Sequence, residues 1–348
     1  MKRFLILLVV ATLCFGGTAV AEQATLIDFS QLTPDDPADN PTEDSETLLD
    51  FSQEASSIFT EAERAQMKSS LAIENWDVEL ASSSAFVENQ ARSLVRMAQV
   101  REDADQYAGQ TVMGVRVHFP QGAFNSWALI KPPFEIPAYT DPTEVQPDGS
   151  LGTPQGKQGS GDKYVNFGVV KNVGTLRSVS VTVHGLNFPH GLSIILQDEQ
   201  NEQREIFMNY LDFTGWRTLE WQNPNYIENV RNRELRQLPL YPNLQPMRKL
   251  IGFRIYRDGA MQGGDFITYI KDVTVTYDQA VLELQRDIND EQVWGILEER
   301  EQERRRAELR RLGNVQVLRY LERQKMHDPD QEQTPQNGGG QQNGGGQQ

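Results

Sequence analysis

The chain has 348 residues, a formal net charge of −16 and one cysteine, Cys14. This length is enough for one large or two small hydrophobic cores. The acidic balance disfavours nucleic acid or an anionic membrane as a general surface partner. Beyond the N-terminus, no apolar run is long enough to predict a transmembrane segment.

The first residues have the features of a secretory signal peptide. Two basic residues precede an apolar run at 4–15, and the small-residue sequence AVA ends at Ala21. This pattern predicts residues 1–21 as a signal peptide that is cleaved after Ala21. Cleavage removes Cys14, so we expect an exported chain with no disulfide and no thiolate metal site.

A short phrase occurs twice after this leader, as LIDFSQ from Leu26 and as LLDFSQ from Leu48. Residues 22–63 contain twelve Asp or Glu and no Lys or Arg. The proline-rich stretch between the two copies has too few apolar residues to offset the entropy that it would lose on folding. We interpret residues 22–57 as an acidic N-terminal arm with two strand-like phrases. One copy is predicted to pair within the subunit and the other on a neighbour; coincidence is the alternative.

Residues 58–280 are predicted to form a β-sandwich that begins with a short helix. Thr60 and Glu63 have the spacing of a capping box, and the helix is expected to end near Ser70. Alternation with period two then dominates 111–278, for example in IGFRIYRDG, where Ile251 is predicted to share a buried face with Phe253. Such half-buried strands joined by Gly, Pro and Asn turns indicate antiparallel sheets packed face to face. The predicted fold class is mainly β: an antiparallel, jelly-roll-like β-sandwich.

After the sandwich the periodicity becomes helical, which predicts a charged, partly basic helical arm at 281–327. Residues 300–325 contain nine Lys or Arg against four Glu, and Gly295 and Gly313 are predicted hinges. One apolar stripe can form from four side chains, which are Leu309, Leu312, Val315 and Leu318. The Gln/Gly-rich residues 328–348 are predicted to be a disordered tail.

The residue patterns do not predict a catalytic, cofactor or metal site. His184 and His190 lack a standard zinc spacing. Asp258 and Asp265 lie in a glycine-rich segment that indicates a turn more strongly than a calcium loop. There is no G-x-S-x-G elbow and no Walker spacing, so we predict a protein that is not an enzyme.

Two tryptophans occur in LDFTGWRTLEWQNPNY. If this segment is one strand, Trp216 and Trp221 lie on opposite faces, and one of them is expected to be exposed or at an interface. Core packing of both, through a bulge, is the alternative. The candidate partner-interface residues are these two tryptophans and five arginines of the helical arm: Arg304, Arg305, Arg306, Arg310 and Arg311.

Several stretches together resemble the FlaA family, the outer-layer or sheath proteins of the periplasmic flagellar filaments of spirochaetes. They are LIDFSQ, FTEAERAQMKSSLAIENWDVELASSS, TVMGVRVHFP, NFGVVKNVGTLRSVSVTVHGLNFPHGLSIILQDEQ and LDFTGWRTLEWQNP. The resemblance runs from the export signal to about residue 280. It implies a structural protein that coats a flagellin core in the periplasm, influences filament shape, stiffness and motility, and has no catalytic residues.

Two hypotheses follow from the sequence. The first is a sheath subunit whose partners are the flagellin core filament and other sheath subunits. The second is a periplasmic carbohydrate-binding module, in which an exposed tryptophan, Trp216 or Trp221, stacks on sugar rings. The predicted sandwich also resembles carbohydrate-binding jelly rolls, which supports the fold more than it supports sugar binding.

Overall fold

The computed structural model describes residues 21–32, 47–52, 55, 59–138, 144–145, 151–152, 164–226, 246–280, 288 and 290–327. The predicted signal peptide up to residue 20, the spacer between the two phrases and the predicted tail at 328–348 lie outside these residues. Within them the strands are β1 Glu22–Asp28, β2 Leu49–Asp50, β3 Lys68–Ser69, β4 Asp77–Leu80, β5 Leu94–Gln99, β6 Thr111–Phe119, β7 Ser126–Lys131, β8 Glu144–Val145, β9 Leu151–Gly152, β10 Val169–Lys171, β11 Val173–Leu186, β12 Gly191–Gln197, β13 Gln203–Tyr210, β14 Thr214–Gln222, β15 Met247–Arg257 and β16 Gly264–Gln279. The helices are α1 Glu61–Ala65, α2 Val87–Arg92, α3 Asp290–Trp294 and α4 Ile296–His327.

Most strands belong to two antiparallel sheets of six strands each. Sheet 1 has the order β14-β11-β16-β6-β5, and β1 also pairs with β16. Sheet 2 has the order β13-β12-β15-β7-β4, and β10 also pairs with β15. The two sheets face each other across one hydrophobic core, so the predicted fold class, an antiparallel β-sandwich with a short N-terminal helix and a C-terminal helical arm, is confirmed.

The core follows from the period-two patterns. In β6 and β11 the alternate valines point inward and are at most 1 % exposed, and polar residues lie between them. Each such side chain contributes about 1.5–3 kcal/mol to stability. The core side chains of these two strands include Val115, Val117, Phe119, Val179, Val181 and Val183. The facing residues of sheet 2 include Ala128, Ile130, Leu192, Ile194, Leu196, Phe253 and Ile255.

One strand departs from the predicted alternation. Phe253 is fully buried as expected, but the prediction for Ile251 is wrong, since Leu250 takes its place in the core. The register between β12 and β15 shifts because Ile195 pairs with Gly252 and the next residue pairs with Leu250. Ile251 is therefore the extra residue of a β-bulge.

The first copy of the repeated phrase lies inside the sandwich. Its residues end β1, which pairs with β16, and continue into a 3-10 turn at Phe29–Gln31. The Asp28 carboxylate accepts a hydrogen bond of 3.0 Å from the Ser30 backbone N–H. This turn directs Phe29 into the core, where its ring lies 5.2 Å from that of Trp76.

The second copy repeats this local structure at the side of the sandwich. The Asp50 carboxylate accepts a bond of 2.8 Å from the Ser52 backbone N–H, and Phe51 is 2 % exposed. β2 pairs with β3 of the same chain, and the Tyr164 hydroxyl donates to the Leu48 carbonyl. Both copies thus pair within their own chain, which contradicts the hypothesis that one lies on a neighbour.

The predicted capping box is confirmed at α1. The Thr60 hydroxyl accepts from the Glu63 backbone N–H, and the Glu63 carboxylate accepts from the Thr60 backbone N–H. The Thr60 hydroxyl also donates a bond of 2.8 Å to the Glu63 carboxylate, and the two bonds that this carboxylate accepts lower the pKa of Glu63. The helix ends at Ala65, earlier than predicted, because the chain enters β3 at Lys68.

Candidate functional site

The C-terminal arm contains two helices, and half of the longer one contacts the sandwich. Gly295, with a φ of +61°, separates α3 from α4 and confirms the first predicted hinge. Gly313 lies inside the continuous helix α4 and is buried, so the second predicted hinge is wrong. With 32 residues, α4 is about 48 Å long.

Polar groups attach the C-terminal half of α4 to the sandwich. Gln316 is 4 % exposed, and its side-chain amide donates a bond of 2.7 Å to the Pro133 carbonyl. One turn later Arg319 forms an ion pair with Asp77. The Tyr320 hydroxyl donates a bond of 3.1 Å to a side chain of the helix α1 region, Gln66. The arm is therefore held by specific hydrogen bonds.

The predicted apolar stripe is not the face that contacts the sandwich. Val315 is 44 % exposed and Leu318 is 61 % exposed. The side chains of Leu309 and Leu312 lie outside the described part of the chain. At the other end of the arm, Val293 and Trp294 are 62 % and 67 % exposed. The arm thus presents large apolar side chains that its own sandwich leaves uncovered.

The five candidate arginines all lie on α4, before its attached half. Arg306 and Arg310 are exposed. The side chains of Arg304, Arg305 and Arg311 lie outside the described residues. Their predicted role at an interface stays a prediction.

Trp216 lies on the outer face of sheet 1. It pairs in register with His184, and its ring is 5.1 Å from that imidazole and 5.1 Å from the Tyr107 ring. Burial lowers the pKa of His184. Trp216 is half-buried under these neighbours.

Trp221 lies on the opposite face, as the period of two predicts. It pairs with the buried Val179 and packs against the edge of the core. The Arg204 guanidinium lies 5.1 Å from its ring centroid and covers it. Both tryptophans are half-buried, so neither is exposed as one of them was predicted to be. The other predicted possibility, a position at an interface, stays a prediction.

A cleft on the outer face of sheet 2 was not predicted from the sequence. Its volume is about 370 Å³. Its lining includes four aromatic residues, which are Trp127, Phe207, Tyr210 and Tyr256. For three of them the sequence signal was available, since Trp127, Phe207 and Tyr256 alternate with buried residues at outward positions where Ser, Thr or charged residues are usual. Tyr210 reaches the same face only through the register shift between β12 and β13, which the sequence does not show.

The histidines do not assemble into a metal site. Within the described ranges there is no group of three His, Cys, Asp or Glu side chains close enough to hold an ion. The His118 imidazole lies 2.7 Å from the Asp265 carboxylate, and this contact together with Arg116 lowers the pKa of Asp265. Asp258 accepts a bond of 2.9 Å from the Ala260 N–H, which confirms that this segment is a turn.

His190 is a buried imidazole without a hydrogen-bond partner among the residues that the structure describes. It stacks on Phe119 at 5.1 Å and lies 4.8 Å from the Phe266 ring. Burial, together with the smaller effect of the positive charge of Arg257, lowers the pKa of His190 to about 4. The residue is therefore a packing group that resists protonation.

We expect the stability of the protein to fall as the pH drops from about 6.5 towards about 4. In this window the unfolded chain binds a proton at His190 and the folded chain does not, which favours the unfolded state. Above pH 6.5 His190 is neutral in both states, so this loss of stability is absent. The free energy of unfolding should decrease by roughly 2 kcal/mol between pH 7 and pH 5 because of this residue. Urea unfolding at both pH values measures the effect.

In the variant His190→Leu, most of this decrease in the free energy of unfolding between pH 7 and pH 5 should be absent. Phe119→Leu, which alters the same packing without removing a titratable group, should lower stability equally at both pH values. A wild-type pH dependence in His190→Leu would contradict this assignment.

Comparisons with known proteins point to one family. The profile described as "Flagellar filament outer layer protein Flaa" matches residues 40–286. The chain is 48% identical over 326 residues to a "Flagellar filament outer layer protein" of Spirochaeta aurantia, with 94% of each chain covered. It is 43% identical over 332 residues to the protein of the same description in Treponema pallidum (strain Nichols), with 94% of this chain and 95% of that one covered.

Among solved structures, the sandwich is similar to sugar-binding modules at low scores. TmCBM61 in complex with beta-1,4-galactotriose matches 60% of this chain and 90% of its own, with 10% identity and a TM-score of 0.27. The Family 11 Carbohydrate-Binding Module from Clostridium thermocellum matches 58% and 88%, with 9% identity and a TM-score of 0.24. Scores this low support no conclusion about a ligand. None of the helices in the described ranges combines the length and the apolar character needed to cross a membrane.

Proposed function

Because the chain belongs to the FlaA family of flagellar filament outer layer proteins, we propose that it is a structural subunit of the layer around a flagellar filament. Its partners in this proposal are a flagellin core filament and other sheath subunits. The subunit acts by binding and shape, affects filament stiffness and motility, and has no enzymatic role.

The observation that supports this proposal is the helical arm. Its C-terminal half is attached to the sandwich, while Val293, Trp294 and Leu318 are each more than 60 % exposed. Large apolar side chains in this state commonly mark a protein interface. The neighbouring arginines add charge that an acidic surface, such as the N-terminal segment of another subunit, can neutralise. Contacts between two different surfaces of the subunit generate extended helical assemblies when the rotation from one subunit to the next does not close a ring.

The remaining parts of the proposal concern export and organisation. We place the mature protein in the periplasm, on periplasmic flagella, after cleavage of the signal peptide behind Ala21. The proposed division is an acidic segment at 22–57, whose strand β1 joins sheet 1, followed by the main part of the sandwich at 58–280, an arm at 281–327 and a tail at 328–348. The alternative, a sugar-binding module that uses Trp216 or Trp221, has no support from the positions of these side chains, because both are half-buried against neighbouring side chains.

We expect the mature protein to bind saturably to core filaments from which the outer layer has been removed. Co-sedimentation at increasing protein concentration measures this binding. The double substitution Val293→Ser with Trp294→Ser should reduce the affinity at least about tenfold, because it removes two exposed apolar side chains.

A matched control replaces an exposed apolar pair on the sandwich itself. Phe86 and Val87 are 62 % and 88 % exposed, so Phe86→Ser with Val87→Ser removes similar surface at another place. This control should bind as the wild type does. No sedimentation of the wild-type chain with core filaments would contradict the proposal, and a loss in the control alone would place the interface on the sandwich.

A further inference from the structure

The cleft on sheet 2 combines exposed aromatic rings with a concave shape. Phe207 is 47 % exposed and Tyr210 is 50 % exposed, and their ring centroids lie 5.3 Å apart. Trp127 and Tyr256 line the same cleft and are half-buried. Soluble proteins seldom group several aromatic side chains at a concave surface unless a ligand covers them.

A network of charged groups contacts two of the rings that line the cleft. The Glu205 carboxylate accepts a bond of 2.5 Å from Arg254 and a second bond from the Tyr256 hydroxyl. The Arg254 guanidinium in turn lies 4.9 Å from the centroid of the Trp127 ring. These contacts hold two aromatic rings in place before any ligand binds, which lowers the entropic cost of binding.

Unsatisfied polar atoms lie on the same face. Ser193 is 1 % exposed, and its position in β12 is in register with Phe207 on one side and Arg254 on the other. Within the described ranges, the Ser193 hydroxyl and the Nε of Arg254 have no hydrogen-bond partner. Buried polar groups normally have a partner, and neither residue is part of the cleft lining, so these two atoms point to an ordered water beside the lining side chains.

The charges of the cleft disfavour an anionic ligand. Arg254 is neutralised by Glu205, and Arg257 donates to the carbonyls of Gly122 and Phe124 at 2.9 and 3.2 Å. The carboxylate of Asp258 also lines the cleft. A ligand that fits must therefore be neutral, must present an apolar face to the rings, and must carry hydroxyl or amide groups at its edge.

We propose that this cleft binds a neutral glycan built of pyranose rings. A pyranose has a C–H face that packs on aromatic rings, and its hydroxyl groups can reach the Asn125 amide, the Asp258 carboxylate and the Tyr256 hydroxyl at the wall. The volume of about 370 Å³ lies within the usual range of small-molecule sites, roughly 300–1,000 Å³. This site is separate from the helical arm, and it does not depend on the proposed role in the filament sheath.

The test is a titration of the mature protein with three neutral oligosaccharides: cellotetraose, β-1,4-galactotriose and triacetylchitotriose. Calorimetry and tryptophan fluorescence should show saturable binding of at least one of them, with a dissociation constant below about 10 mM. Phe207→Ala and Tyr210→Ala, at exposed positions that tolerate truncation, should each weaken binding at least about tenfold. Fluorescence quenching should be lost in Trp127→Phe.

The matched control is Trp221→Phe, which changes the tryptophan on sheet 1 and should leave the affinity unchanged. Thermal unfolding of each variant verifies that it is folded. The proposal is overturned if none of the three sugars binds, or if Phe207→Ala and Tyr210→Ala bind as tightly as the wild type. It is also overturned if Trp221→Phe abolishes binding. The protein could instead form a dimer that Phe207→Ala dissociates and that the sugars leave intact. That result would show that the cleft binds a second copy of the chain.

Discussion

Phe29→Ala is expected to lower the free energy of unfolding by about 3–5 kcal/mol, the range for removal of a fully buried phenylalanine. Phe29 is 0 % exposed, and its ring packs against Trp76 at 5.2 Å and against Phe253 at 6.2 Å. It therefore joins β1 to the interior of both sheets. A loss of this size is a large part of the stability of a typical domain, roughly 5–15 kcal/mol. Urea unfolding of the mature chain measures it.

The corresponding substitution in the second copy of the phrase, Phe51→Ala, should lower the free energy of unfolding by less. Phe51 is also buried, but it packs beside the two-residue strands β2 and β3, outside the main core, where the surroundings can collapse around a cavity. Phe86→Ala, at an exposed position, is the control and should change stability by no more than about 0.5 kcal/mol. An equal or larger cost for Phe51→Ala would contradict the unequal roles of the two copies.

Replacement of the five arginines of α4 by glutamine should weaken binding to core filaments or to other subunits. An ion pair at a solvent-accessible surface contributes about 0.2–1 kcal/mol, so five such contacts, about 1–5 kcal/mol, should reduce affinity at least roughly fivefold. The remaining binding should depend less on salt, because fewer charged contacts are left to screen. Co-sedimentation at about 50 and 300 mM salt measures both effects. The substituted residues are Arg304, Arg305, Arg306, Arg310 and Arg311.

The control removes the same charge from the sandwich, by glutamine at Arg64, Lys68, Arg92, Arg96 and Arg101. If assembly depends on the position of the charges, this variant should bind as the wild type does. Equal losses in the two variants would show that net charge matters rather than the arm. Unchanged binding of the α4 variant at both salt concentrations would show that these arginines are not part of the interface.

The sandwich could be predicted because its signals are local. Alternate valines in β6 and β11 specify which side of each strand is buried, and the spacing of Thr60 and Glu63 specifies a helix start. Ile251 was misplaced because a bulge depends on how two strands pair, and a single strand carries no signal of that.

The repeated phrase shows how far a local signal extends. In both copies an aspartate caps a serine two residues later, and the phenylalanine between them turns inward. The sequence therefore encodes the same turn twice. Whether each turn packs against the main core or beside it depends on distant partners such as Trp76 and Tyr164, and these could not be inferred from the phrase.

The candidate surfaces were harder to predict than the fold. Helical periodicity predicted an apolar stripe on α4, but the sandwich holds the arm through Gln316 and Arg319 and leaves Leu318 of this stripe exposed. The two tryptophans of β14 were singled out from the sequence, but Trp127 was not. A cleft forms from residues that are distant in sequence and meet only when the sheet is assembled.

Electron cryo-tomography of flagellar filaments in cells with and without the gene for this chain is the most direct measurement of the sheath role. We predict that the wild-type filament has an outer layer around its core, that loss of the gene thins or removes this layer, and that the restored gene returns it. Filaments of unchanged diameter and surface in cells that lack the protein would contradict its place in the layer.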